Sequence, residues 1–212
     1  MKLTHLRTTA VAASAALALP LSLAALTPQA FADTSTPSPS ASHSSSPSAS
    51  PSTSKPFGPQ CSSLPKSGAG SVDSMAKETL ATAASHDPNL SMLVSAVKKA
   101  GLTNTLNDAK NTTLFAPTNA AFNKMGKAKT DALLKNRTEL KKLLQYHVVP
   151  KEITPSQLSQ GTFTTLEGGT LTTAGSGTSF KVNKTAAITC GDITTANGKV
   201  YVIDGVLTPP SS

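Results

Sequence analysis

Two histidines, His86 and His147, are the only ones in residues 57–212, the part of the chain with the composition of a folded domain. A Ser-His-Asp hydrolase needs one of them as its base, next to a serine held on a sharp turn. No Gly-x-Ser-x-Gly elbow occurs, and Gly175-Ser176-Gly177 reads more simply as a hairpin turn. His-Glu-x-x-His, phosphate-loop and dinucleotide patterns are absent too. The carboxylates are few and dispersed, so they offer no glycosidase pair. These residues predict a protein that is not an enzyme, with no catalytic residues, metal ligands or cofactor.

Cys61 and Cys190 are the only cysteines. They lie too far apart for a CxxC redox centre and do not make a zinc site on their own. In an exported chain an even pair is most simply a disulfide; the alternative is two unpaired thiols. Closing a loop of about 130 residues stabilises by about 4–5 kcal/mol in the chain-entropy model.

Charge gathers between Lys124 and Lys142. Lys124, Lys127, Lys129, Lys135, Arg137, Lys141 and Lys142 stand there against Asp131 and Glu139. Lys135, Arg137, Lys141 and Lys142 form a candidate polyanion face, for an anionic glycan or wall polymer. The competing reading is the solvated side of two helices. Lys is a mobile point charge, poorer than Arg at two-pronged recognition. Aromatics are 4% of the chain, so no nucleic-acid partner is expected.

The elements that would position these residues fall into two runs. Asp87-Pro88 is a helix start, and Leu90, Leu93, Val94 and Val97 then recur on one face until Lys98, Lys99 and Gly101 end it. An earlier helix is predicted over Ser74–Ser85. Leu114 and Phe115 read as a buried strand, ended by Pro117, with Thr118 capping a helix that carries Ala121, Phe122 and Met125 before Gly126 stops it. Another helix starts near Thr138, carries Leu140, Leu143 and Leu144, and leads into Tyr146-His147. Thr154, Pro155 and Gln157 complete a capping-box pattern. From Gly161 the pattern becomes strands: Phe163–Leu166, Leu171–Thr173, Phe180–Val182, Ile188–Cys190 and Ile193–Thr195. Asn197-Gly198 is a hairpin signal. The strand from Lys199 to Leu207 is apolar on both alternations over Val200–Ile203, which places it inside the sheet system. Helices first and antiparallel strands later predict an α+β domain.

The ends carry other signals. Residues 1–32 read as a secretory leader: Lys2 and Arg7, an Ala/Leu-rich run from Val11 to Leu26, and Ala30-Phe31-Ala32 as the cleavage signature. No membrane span is expected after cleavage. Residues 33–56 hold 11 Ser, 5 Pro and 3 Thr and read as a disordered linker. Without the leader, 17 basic groups face 11 acidic ones, and Arg137 is the only Arg. A secreted protein, extracellular or loosely attached to the cell wall, is expected.

Three segments together resemble the fasciclin domain family. They are Thr113-Leu-Phe-Ala-Pro-Thr-Asn-Ala-Ala-Phe122, Tyr146-His147-Val148-Val149, and Gly198-Lys-Val-Tyr-Val-Ile-Asp-Gly-Val-Leu207 followed by Pro209-Pro210. The cysteine placement and single-domain form are further similar to secreted mycobacterial immunogenic members. The resemblance implies a β-sandwich or wedge with helices packed around it, over residues 57–212. It also implies a non-enzymatic adhesion or interaction module at cell surfaces or in extracellular matrix. Its partner would be an extracellular protein, a cell-surface receptor or an anionic glycan, and the module a monomer. Some animal members bind integrins through the Tyr-His region, which makes Tyr146 and His147 a candidate adhesion motif. Read from the residues alone, His147 lies seven positions after Leu140 on an apolar face and is a hydrogen-bonded core histidine. The alternative function is an extracellular carrier or sensor of a small apolar or lipid-like ligand.

Overall fold

Asp87 caps the turn that leads into the longest of the first four helices. Its carboxylate accepts the Asn89 N–H at 2.9 Å, and Pro88 opens a 3-10 turn over Pro88–Leu90. The computed structural model describes residues 55–210. The expected leader and residues 33–54 of the expected linker lie outside the described residues. Four short helices come first: α1 (Val72–Met75), α2 (Leu80–Ser85), α3 (Ser91–Ala100) and α4 (Thr103–Asp108). Helix α3 buries Leu93, Ala96, Val97 and Ala100 and ends at Gly101, whose φ of 71° is the left-handed stop. The 3-10 first turn is the departure from the helix predicted there.

The helix predicted over Ser74–Ser85 is two helices. The break has a tertiary cause. Glu78 gives its carbonyl to the Ala196 N–H at 2.8 Å, and Leu80 gives its N–H to the Asn197 side chain at 2.8 Å. Both groups belong to the helical ladder of a continuous helix, and a distant turn takes them instead.

Strand β1 (Thr112–Pro117) is buried along its whole length. Helices α5 (Asn119–Met125), α6 (Lys127–Lys135) and α7 (Arg137–Tyr146) follow, then β2 (Val148–Val149). Thr118 caps α5 by accepting the Ala121 N–H at 3.2 Å, and Asn136 caps α7. The Thr154 capping box opens a 3-10 turn over Pro155–Leu158. Strands β3 (Gln160–Thr164), β4 (Thr170–Ser176), β5 (Ser179–Val182), β6 (Ala186–Thr195) and β7 (Gly198–Ile203) complete the domain. The last strand ends at Ile203, four residues short of the predicted end.

The seven strands run in the order β2-β1-β7-β6-β5-β4-β3. All neighbours are antiparallel except β1 and β7, which are parallel. Alternation along β1 and β7 sends Leu114, Ala116, Val200 and Val202 to a core shared with α2, α3 and α7. Phe115, Tyr201 and Ile203 go to a second core with Phe163, Leu171, Phe180 and Val182 of the outer strands. The sheet therefore folds over on itself, and β1 and β7 lie between the two cores. This is a mixed α+β wedge, as the sequence led us to expect.

Two register shifts in β6, one between Ile188 and Cys190 and one between Cys190 and Ile193, bend it and open room at its centre. The N-terminal segment fills that room. Phe57 exchanges backbone hydrogen bonds with Gly191, and a disulfide joins Cys61 to Cys190. A Cβ at Gly191 would lie 2.6 Å from the Phe57 ring and 2.8 Å from that of Tyr201, so only glycine fits.

Candidate functional site

Helix α7 delivers the Tyr146-His147 pair directly into the core. Its apolar stripe of Leu140, Leu143 and Leu144 faces inward, and the two following residues continue that face. Tyr146 is 2% exposed and His147 is fully buried. The Tyr146 hydroxyl donates to the Thr170 carbonyl at 2.7 Å and accepts from the Asn183 amide at 2.9 Å. His147 Nδ1 donates to the Leu143 carbonyl at 2.8 Å, and Nε2 accepts the Leu207 N–H at 3.0 Å. That pair of bonds requires the neutral ring protonated on Nδ1. Burial pulls its pKa from 6.5 to about 4, against the smaller upward effect of the Leu143 carbonyl. Every polar atom of both side chains is spent inside the domain. A partner touches them only if the domain opens.

The basic residues of the candidate polyanion face are exposed, and two of them make separate local contacts. Lys135 ends α6. Arg137 starts α7 and donates through Nε to the Lys99 carbonyl at 2.8 Å, so it closes the last turn of α3. Lys141 lies one turn after Arg137 on the same side. Lys142 is the next residue of α7. With Lys129 and Glu139 it borders an open groove of about 430 Å³ walled by Met125, Leu133, Leu143 and Pro209. Lys129 belongs to the cationic run but lies outside the candidate polyanion face. Its place beside Lys142 depends on how α6 turns back against α7.

A third constellation has no counterpart among the expected sites. Lys199 of β7 and Asp192 of β6 form an ion pair with side chains 8% and 1% exposed. Glu152, after β2, brings its carboxylate within 3.8 Å of the same ammonium. Tyr201 is fully buried on the same face, and its hydroxyl donates to the Ile153 carbonyl at 2.7 Å. Burial raises the phenol's pKa well above its ordinary value, and Asp192 and Glu152 add to the shift. The one signal in the sequence was a lysine at the head of a strand that is otherwise apolar on both faces. Its counter-charge lies on the other side of a turn. Among the described residues no group of three or more His, Cys, Asp and Glu is placed to hold a metal ion, and no helix is long and apolar enough to cross a membrane.

The three quoted segments occupy β1 with α5, the end of α7 with β2, and β7 with its exit. A family model described as the Fasciclin domain matches residues 88–209. The chain belongs to the fasciclin domain family. It is 44% identical over 149 residues to the cell surface glycolipoprotein MPB83 of Mycobacterium bovis, covering 68% of this chain and 66% of that protein. It is 41% identical over 149 residues to the immunogenic protein MPB70 of the same organism, covering 68% of this chain and 76% of that protein. The chain thus spans slightly less than two thirds of the length of the glycolipoprotein. Among solved structures, a FAS1 domain pair from the insect cell adhesion molecule Fasciclin I superposes with a TM-score of 0.54. That match has 18% identity and covers 66% of this chain and 52% of the other, so it shows the fold. None of these fasciclin matches indicates an enzyme family.

Proposed function

We infer that this chain is a secreted, non-enzymatic interaction module that works at a cell surface or in the surrounding matrix. The observation that carries the reading is the 44% identity to a cell surface glycolipoprotein. The described geometry supports it. The Tyr146 and His147 side chains are consumed by the core, so their motif holds the domain together and leaves contact to the outside. The groove has apolar walls and, at its border, Lys129 and Lys142 against the single carboxylate of Glu139, a net positive charge that suits an anionic glycan or wall polymer.

The test is solid-phase binding of the purified protein to intact producer cells, a matrix protein, heparin and an anionic wall polymer, at low and high salt. Saturable binding to one target supports the module. Loss of polyanion binding with salt, and in Lys129→Glu/Lys142→Glu, assigns the contact to the groove. Silence on every target removes the reading.

A carrier role is the second reading, and one observation favours it. A cavity of about 180 Å³ lies between α2, α3, α4 and β1, lined by Ala81, Ala84, Leu93, Val97, Leu106 and Leu114. Drug-sized ligands occupy about 300–1,000 Å³, whereas an apolar cavity of about 150 Å³ takes one benzene. The site, whose lining also includes Thr82, Ser85, Lys98 and Thr103, therefore has room for one small, mainly apolar molecule. Native mass spectrometry of the purified protein distinguishes a retained ligand from none.

A further inference from the structure

We propose that Lys199 and Asp192 are the two ends of an intramolecular isopeptide bond, formed within the folded domain with Glu152 as the proton carrier. The pair is placed for this reaction in ways that an ordinary ion pair does not need. Asp192 stands at φ 61°, a left-handed conformation that a non-glycine residue adopts at a cost, and it does so in the irregular stretch of β6. This turns its carboxyl inward, against the Lys199 amine. Its Oδ1 accepts from Lys199, while Oδ2 is buried with no hydrogen-bond partner. A carboxylate left half-satisfied at 1% exposure is costly as an anion.

The third group is held in place from both sides. Thr113 is the β1 residue in register with Lys199. Its hydroxyl donates to the Lys151 carbonyl at 2.8 Å and accepts the Ile153 N–H at 2.9 Å. The Tyr201 hydroxyl binds the Ile153 carbonyl. Glu152 lies between these two anchored residues, 3.8 Å from the Lys199 ammonium and with its side chain 44% exposed. It reaches both the amine and solvent.

The reaction balances without any other reagent. A proton passes from the Lys199 ammonium to the Asp192 carboxylate, giving a neutral amine and a carboxylic acid. The amine lone pair attacks Cγ of Asp192 and forms the new N–C bond. Glu152 takes the second proton from Nζ and returns it to the leaving hydroxyl. The C–O bond breaks, water departs, and an amide remains. No oxidant or reductant takes part. The product ties the irregular stretch of β6 to β7, between the two cores, and replaces two buried charges with one neutral amide.

Intact-mass measurement of the purified, reduced chain tests this, followed by tryptic mapping. The expected result is a mass lower by one water, no cleavage after Lys199, and a peptide from Thr185 onward that carries a link between residues 192 and 199. Lys199→Arg keeps a cation opposite Asp192 but has no amine to acylate; its mass is expected to match its sequence. Glu152→Gln leaves both reacting groups in place and is expected to form the bond about a hundredfold more slowly or worse. Normal cleavage after Lys199 in folded wild-type protein overturns the proposal. This holds even if a water is missing, since Asp204-Gly205 can lose one by closing a cyclic imide. Equal water loss in Lys199→Arg overturns it as well.

Discussion

His147 Nε2 accepts the backbone N–H of Leu207 at 3.0 Å, across 60 residues of chain. The bond joins the end of α7 to the segment after β7, and it exists only while the ring is neutral. Above pH 6.5 the ring is neutral in both the folded and unfolded chain. As pH falls below 6.5 the unfolded chain takes up a proton that the folded one refuses until about pH 4. The unfolded state then binds more protons, so stability falls with pH, by about 3 kcal/mol across that window. Urea midpoints between pH 7 and pH 4.5 measure it. In His147→Gln the slope over that range is expected to flatten, on a lower neutral-pH baseline.

Asp204 titrates in a lower window. Burial opposes its ionisation, but Lys124 at 2.8 Å and the Ala187 N–H at 2.7 Å outweigh it and hold the pKa below its ordinary value. Its contribution is therefore present above the unfolded carboxylate pKa and is lost as pH falls through the folded one, below the His147 window. Asp204→Ala should cost about 1–3 kcal/mol, because it strands the Ala187 N–H. Lys124→Ala removes only an exposed ion-pair partner and should cost at most about 1 kcal/mol. Denaturant unfolding at pH 7 ranks the two.

Asn197 holds the helical layer to the sheet. Its amide donates to the carbonyls of Leu106, Asn107 and Ala109 at 2.7, 3.2 and 2.8 Å, while its oxygen accepts the Leu80 N–H. Asn197→Ala should destabilise by about 2–4 kcal/mol. Asn197→Asp should cost at least as much, because it turns an acceptor toward three carbonyls. Thermal melts of the two variants check the order.

The Cys61–Cys190 bridge closes 129 residues of separation. Replacing both cysteines with serine should lower stability by about 4–5 kcal/mol in the chain-entropy model. Proteolysis should then begin in the Phe57–Leu64 segment, which loses its tie to β6. Limited digestion with and without reductant shows whether it does.

The Asn197-Gly198 pair shows how far local reading reaches. It marks a hairpin, and a hairpin is there. Yet neither residue has a positive φ, so the left-handed turn that usually explains this dipeptide is not used. Asn197 is needed for its side-chain bonds to α2 and α4. Gly198 is needed because a Cβ there would overlap the Thr112 carbonyl, its neighbour across the parallel β1–β7 pair. The position of the turn is local information. The reason for both residues is not.

The same division runs through the molecule. Periodicity, caps and turn residues determined the α3 face, the Thr118 cap, the Thr154 box and the alternating outer strands, because their hydrogen bonds close within a few residues. The three motif segments determined the family. Tertiary structure alone decided that α1 and α2 separate, since β6–β7 turn groups take the bonds of a continuous helix. It alone sent Lys142 to a groove with Lys129 and Arg137 to the end of α3, because residues spaced along two helices share a surface only once those helices pack. It also brought Asp192, Lys199 and Glu152 together. Their meeting requires an irregular β6, a parallel strand pair and a loop after β2, and each is set by contacts between residues far apart in the chain.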